Sequence, residues 1–190
     1  MRIGFCGTMS VGKTTLVKAL EKTGFFTNYD FRTERSKYLS SLGIPLNTDS
    51  TLKGQTIFLA ERTSELILEK VVTDRTVLDV MAFTNNAKSI SVVKAEMFEE
   101  YASLFLGEYD YMFYVSPKGV EIENNGIRET DEEYRHIIDR SIRSLLVKYG
   151  NNIRSLTTIE GSTEERVKTV IDTIRADISL HNGSFFDIYK

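Results

Sequence analysis

Cysteine and histidine are scarce in this chain, and the scarcity excludes chemistry. Its 190 residues carry one cysteine and two histidines. No disulfide can close within the chain, which suits a reducing cytoplasm, the expected location. Cys6 lies in an apolar stretch and reads as a buried small hydrophobe, while His136 and His181 are too widely spaced to suggest a zinc site. Neither sign of charge dominates: a net charge of −3 and a sequence pI near 5.5 give no global drive toward nucleic acid or membrane, although a local basic groove is compatible with both. No apolar run approaches the roughly 20 residues of a membrane span, and none before the first motif reads as a signal peptide. Internal repeats, low-complexity tracts and linker-like shifts are missing too, so one domain over residues 1–180 with a short tail, 181–190, is expected. An N/T-K-x-D segment and a D-x-x-G switch do not occur in register, which sets aside a GTPase. Nor is there an ABC-transporter signature, or room for the extra helical domain of a hexameric motor.

What is present begins with Arg2-Ile3-Gly4-Phe5-Cys6, a short apolar run that predicts a buried parallel strand. Gly7, Gly12, Lys13 and Thr14 then fill the pattern G-x-x-x-x-G-K-[ST], and Leu16, Ala19 and Leu20 follow at helical spacing. The glycines let the backbone turn tightly, so that amides across Gly7, Thr8, Met9, Ser10, Val11, Gly12, Lys13, Thr14 and Thr15 cradle phosphate at a helix N-terminus. Lys13 is placed to reach the β- and γ-phosphates, and the Thr14 hydroxyl to bind Mg²⁺. ATP and Mg²⁺ are therefore the expected cofactors.

Strand and helix signals alternate along the rest of the chain. Strands are predicted over residues 25–33, 71–75, 109–115 and 153–159. Helices are predicted over 34–42, 56–69, 78–87 and 94–106, with a β-branched piece of uncertain state at Ile90 to Val93. In the helix over 56–69, Ile57, Ala60, Leu66 and Ile67 form the apolar stripe, and residues 46–55 read as a polar turn. Thr130 with Glu133, and Ser162 with Glu165, are capping boxes that open two further helices. The second of these turns Val167, Val170, Ile171, Ile174 and Ile178 inward. Such alternation predicts an α/β fold with a parallel sheet and right-handed crossovers, whose ligands sit beyond the carboxyl ends of the strands.

Function is therefore sought just after the strands. Asp74 and Arg75 end the third strand. The carboxylate could hold Mg²⁺ or accept a substrate proton, or simply cap the next helix; Arg75 could pair with a substrate phosphate. After the second strand, Glu34 could act as base and Arg32 or Arg35 hold the acceptor, against the alternative of an acidic first helical turn. After the fourth, a lid over roughly 116–135 carries Arg128 and Arg135. Both could stabilise transferred charge, unless Arg135 pairs with Asp139 four residues on. Phe83, Tyr38 and Phe58 could stack on a base or pack in the core. The set points to a kinase for a small hydroxyl or phosphate group.

Gly7 to Thr15, Thr33-Glu34-Arg35, Asp74-Arg75-Thr76 with Leu78-Asp79, and Asn125-Gly126-Ile127-Arg128 followed by Glu132-Glu133-Tyr134-Arg135 resemble the P-loop nucleoside and nucleotide kinases. Similar groups are thymidylate kinases, AAA-like nicotinamide-riboside kinases, and phage kinases that phosphorylate 5-hydroxymethyluracil in DNA. The resemblance implies a three-layer fold with sheet order 2-3-1-4-5 and a lid after strand four. It also implies ATP and Mg²⁺ at Gly12, Lys13 and Thr14, with Asp74 near the reacting hydroxyl. A nucleoside, a nucleotide or modified phage DNA would be the acceptor, with 5-hydroxymethyl-deoxyuridine the most specific expectation. No membrane partner is expected, and a homodimer is left open. The chain departs from thymidylate kinases in Asp-Arg-Thr, and from the riboside kinases in Asn125, where Asp is common.

Overall fold

The apolar run before the phosphate loop forms the middle of a sheet. In the computed structural model, which describes residues 1–33, 35–118 and 132–183, β1 (Arg2–Cys6) lies between β3 (Val71–Thr73) and β4 (Tyr111–Val115). β2 (Asp30–Arg32) and β5 (Leu156–Ile159) add to the two edges, giving the order β2-β3-β1-β4-β5 with every pair parallel. This is the order the resemblance implies. Gly4 pairs with Thr73 on one side and Met112 on the other, so the strand tips that follow stand side by side.

Because strand side chains alternate, the sheet has two apolar faces, and each is covered. Ile3, Phe5, Val72 and Phe113 meet Leu16 and Leu20 of α1 (Lys13–Lys22) and Val170 and Ile174 of α7 (Thr163–Gly183). Met112 and Tyr114 point the other way, against α3 (Leu52–Glu65), α4 (Val77–Asn85), α5 (Val92–Ser103) and α6 (Glu132–Tyr149). Close packing forces Gly4: an added Cβ would stand 2.6 Å from Thr76 Cγ2 and 2.7 Å from the Tyr109 ring. Among the described residues, no helix is long and apolar enough to cross a membrane.

Several expected boundaries move, each for a physical reason. The strand read over 25–33 shrinks to Asp30–Arg32, because Phe25, Phe26 and Tyr29 fold into an edge-to-face aromatic cluster instead of pairing. α2 is only Ser36–Ser41. α3 starts at Leu52, inside the stretch read as a polar turn, because the Thr51 hydroxyl accepts from the Gly54 amide at 3.2 Å and caps the helix. Its buried face is Gln55, Leu59, Arg62 and Leu66; Ala60 points off that face and is exposed, and Ile67, past the helix end at Glu65, is 80% exposed, against expectation. Ile90 packs on Ala87 and Ala95 in a turn, and Val92 opens α5. Ser162 and Glu165 do form a capping box, with bonds of 2.7 and 3.2 Å. α7 runs to Gly183, past the expected end of the domain at 180, and Ile178 is 42% exposed, not inward. Thr130 of the other box, most of the lid and residues 184–190 lie outside the described residues.

Candidate active site

The turn after β1 takes its shape from three residues with positive φ. Gly7 (152°), Ser10 (55°) and Gly12 (84°) bend the chain, and at Gly7 an added Cβ would meet the Val115 carbonyl oxygen at 2.8 Å. The side chains between them turn into the fold: Met9 joins the core on one face of the sheet and Val11 the core on the other. The Thr8 hydroxyl donates to the Arg135 carbonyl at 3.0 Å, which ties the loop to α6. Among the described residues, the amides of Thr8, Met9, Ser10, Val11 and Gly12 donate to no protein acceptor. Successive unpartnered amides in a loop of alternating handedness, next to the N-terminus of α1, make a receptor for an anion with many oxygens.

Charged side chains complete the receptor. Lys13, 6% exposed, folds over the loop, with Nζ donating to the Gly7 and Thr8 carbonyls at 2.6 and 2.7 Å. Asp74, at the tip of β3, is 1% exposed and accepts from the Thr14 hydroxyl at 2.5 Å. Its own amide donates to the Arg32 carbonyl at 2.9 Å, which holds the tip against β2. Asp79, in sequence only one member of the Leu78-Asp79 motif, has a larger part by its placement. It is fully buried, accepts from the Gly7 amide at 3.1 Å and from the amide and hydroxyl of Thr76 at 2.9 Å, and lies 4.0 Å from Lys13 Nζ. The Thr76-x-x-Asp79 spacing was the available signal, a helix-capping pattern whose acid also braces the loop.

Beside the loop opens a cleft lined in part by Met9, Ser50, Gln55, Phe58, Arg75 and Phe83. The Arg75 guanidinium stacks over Phe83 at 5.0 Å. The Ser50 hydroxyl and the Gln55 carboxamide, on residues 1% and 3% exposed, have no hydrogen-bond partner among the described residues. Both fell in the stretch read as a turn; only the cap at Thr51 reveals that Gln55 faces inward. Phe58 and Phe83 thus line the cleft, whereas Tyr38 is 51% exposed beneath Arg35 and does not.

The arginines divide. Arg135 is 7% exposed and does not pair with Asp139, which is held by Arg143 at 3.1 Å and Tyr114 at 2.6 Å. Burial lowers the guanidinium's proton affinity, and its Nε and Nη2 have no partner among the described residues. Arg35 is half exposed and paired with Glu61 at 3.4 Å, at the start of α2. Thr15 is exposed. Glu34 and Arg128 lie outside the described residues.

Behind this end of the sheet, Arg62 is 2% exposed and sits 3.0 Å from Glu65 and 3.7 Å from Glu61. Burial outweighs the attraction of Arg62 and, with Glu61 and Asp74 adding repulsion, lifts the Glu65 carboxyl from 4.5 to about 7. Over that interval the folded chain holds a proton that the unfolded chain has released, so stability falls as pH rises. Urea unfolding at pH 5 and pH 8 is expected to differ by about 2 kcal/mol in favour of the lower pH, and Glu65→Gln to remove most of the difference.

A family model described as an AAA domain matches residues 2–166. No curated protein matches the chain. Among solved structures, deoxyadenosine kinase from M. mycoides with bound dCTP superposes with a TM-score of 0.60 at 18% identity, covering 94% of this chain and 99% of that one. The YorR protein of Bacillus subtilis, in complex with phosphorylated GDP, gives 0.63 at 14% identity, covering 94% and 98%. Thymidylate kinase from Ehrlichia chaffeensis gives 0.58 at 17%, again covering 94% and 98%. At these identities the likeness is one of fold, and the fold is the one expected from the sequence.

Proposed function

The chain belongs to the AAA domain family, and from that premise we propose that it is an ATP-dependent kinase acting on a nucleoside or nucleotide. One observation carries the reading: unpartnered loop amides, Lys13 and the Thr14–Asp74 pair converge beside a cleft whose lining includes Phe58 and Phe83. A polyphosphate receptor adjoining a slot for a flat aromatic ring is what phosphoryl transfer to a nucleoside unit needs.

The assignment of roles follows from position. Loop amides and Lys13 hold the β- and γ-phosphates of ATP. Thr14 and Asp74 offer hydroxyl and carboxylate oxygens that meet at 2.5 Å, the hard donors Mg²⁺ takes when phosphates and water fill its remaining positions. Bound there, the ion would neutralise charge on the β- and γ-oxygens. The base of the acceptor lies between the two phenylalanines, with Gln55 and Ser50 reading its edge and Arg75 closing the far side. An acceptor oxygen attacks the γ-phosphorus, its proton passes to a carboxylate, Asp74 or Glu34, and the bond to the β-phosphate oxygen breaks to release ADP. Arg135 and Arg128 would stabilise the charge spread over the transferred group.

The resemblance favours a pyrimidine unit, and its finest expectation, 5-hydroxymethyl-deoxyuridine within DNA, becomes one arm of the test. Labelled ATP is offered with free nucleosides, nucleoside monophosphates and hydroxymethyluracil-containing DNA. Label is expected in the small molecules, since a net charge of −3 favours a single nucleotide unit over a polyanion. Label entering DNA alone would move the acceptor to the polymer. Phosphate release without any acceptor would make the protein a hydrolase. ATP binding with no turnover on any acceptor would make it a regulatory module.

A further inference from the structure

α7 buries a stripe at intervals of four residues, and its first member is the wrong kind of residue. Val170 and Ile174 are fully buried against the sheet; at the head of the same stripe stands Arg166, 4% exposed. The Ser162–Glu165 capping box sets the helix start and so places Arg166 in its first turn, under the phosphate loop. Its Nη1 donates to the Val11 carbonyl at 2.6 Å and its Nη2 to the Ser116 carbonyl at 3.4 Å. A Cβ added at Gly12 would come within 3.3 Å of Nη1, so the guanidinium packs against the loop at its last glycine.

No carboxylate among the described residues pairs with this cation, and its buried Nε has no partner there. Burial alone acts on its proton affinity, lowering it. An arginine placed for stability would normally meet an acid, because a buried, uncompensated charge opposes folding. We propose that Arg166 is a positioning residue of the phosphate loop, fixing the Val11 carbonyl outward and supplying a buried positive charge whose counter-charge is the polyphosphate of the bound nucleotide. The inference rests on the ATP site proposed above. It explains why a helix from the far end of the chain puts a cation where an aliphatic side chain would pack.

The test compares Arg166→Gln, which keeps a donor without charge, with Arg166→Lys, which keeps charge without the fork. Binding of ATP is read by titration calorimetry, binding of inorganic tripolyphosphate by competition, and folding by urea unfolding without nucleotide. Arg166→Gln is expected to weaken both ligands about tenfold or more, with Arg166→Lys recovering most of the loss. The unfolding midpoint of the ligand-free Gln variant should equal or exceed that of wild type. ATP affinity within about twofold of wild type would overturn the inference. So would a lowered midpoint in both variants, which would make Arg166 a strut. Wild-type protein that binds no ATP would instead overturn the function proposed above.

Discussion

Asp74→Asn is expected to leave ATP bound within a few-fold of wild type and to slow phosphoryl transfer by about a thousandfold. The change is nearly isosteric, so the 1%-exposed site at the tip of β3 keeps its shape. An amide can still meet the Thr14 hydroxyl, now held at 2.5 Å, but it brings no charge to the cation side of the site and accepts no proton. In the proposed site the binding energy for ATP comes mainly from the loop amides and Lys13, which the substitution does not touch. Calorimetry for ATP, set beside single-turnover transfer to the best acceptor, separates the two effects. Equal losses in affinity and rate would remove Asp74 from the chemistry. Transfer that survives Asp74→Asn but fails in Glu34→Gln would give the proton to Glu34.

Lys13→Ala is expected to remove measurable ATP binding, a loss of about a hundredfold or more. Lys13 Nζ already lies over the loop, 2.6 and 2.7 Å from the Gly7 and Thr8 carbonyls, so its charge is placed before any nucleotide arrives. Truncation strips the receptor of that charge, leaves both carbonyls without their donor, and deprives the buried Asp79 of a cation 4.0 Å away. Lys13→Met, which keeps the apolar stem, controls for packing. If it binds ATP like wild type, the charge is not what holds the phosphates. Retention of ATP by both variants would also remove the central observation behind the kinase reading.

How far the residues alone disclosed the site depends on the range of the forces involved. The phosphate loop was legible because its geometry is local: positive φ at Gly7 and Gly12, a preceding apolar run and a following helix all lie within about twenty residues. Asp74 was legible because strand tips gather at one end of a parallel sheet. Gln55 and Ser50 were not. Their stretch is polar, and the cap at Thr51 that starts α3 early competes on equal terms with a turn in any local reading. The apolar stripe of that helix failed for another reason: its apolar residues are divided between two faces, and packing chose Leu59 and Leu66, which carries Arg62 inward with them and leaves Ile67, past the helix end at Glu65, exposed. Asp139 shows a different limit: spacing offers it Arg135 or Arg143 equally, and the Tyr114 hydroxyl from β4 fixes the carboxylate where only Arg143 reaches.

By itself the sequence determined that this chain folds as alternating strands and helices around a phosphate-binding turn, because hydrophobic period and glycine placement act over a few residues. Only the tertiary structure decided which polar side chains face the cleft, that Asp79 braces the loop, and that Arg166 reaches it from α7. Those contacts join residues 72 and 155 positions apart, and their partners are chosen by how layers pack across the sheet, not by anything written within one turn of helix.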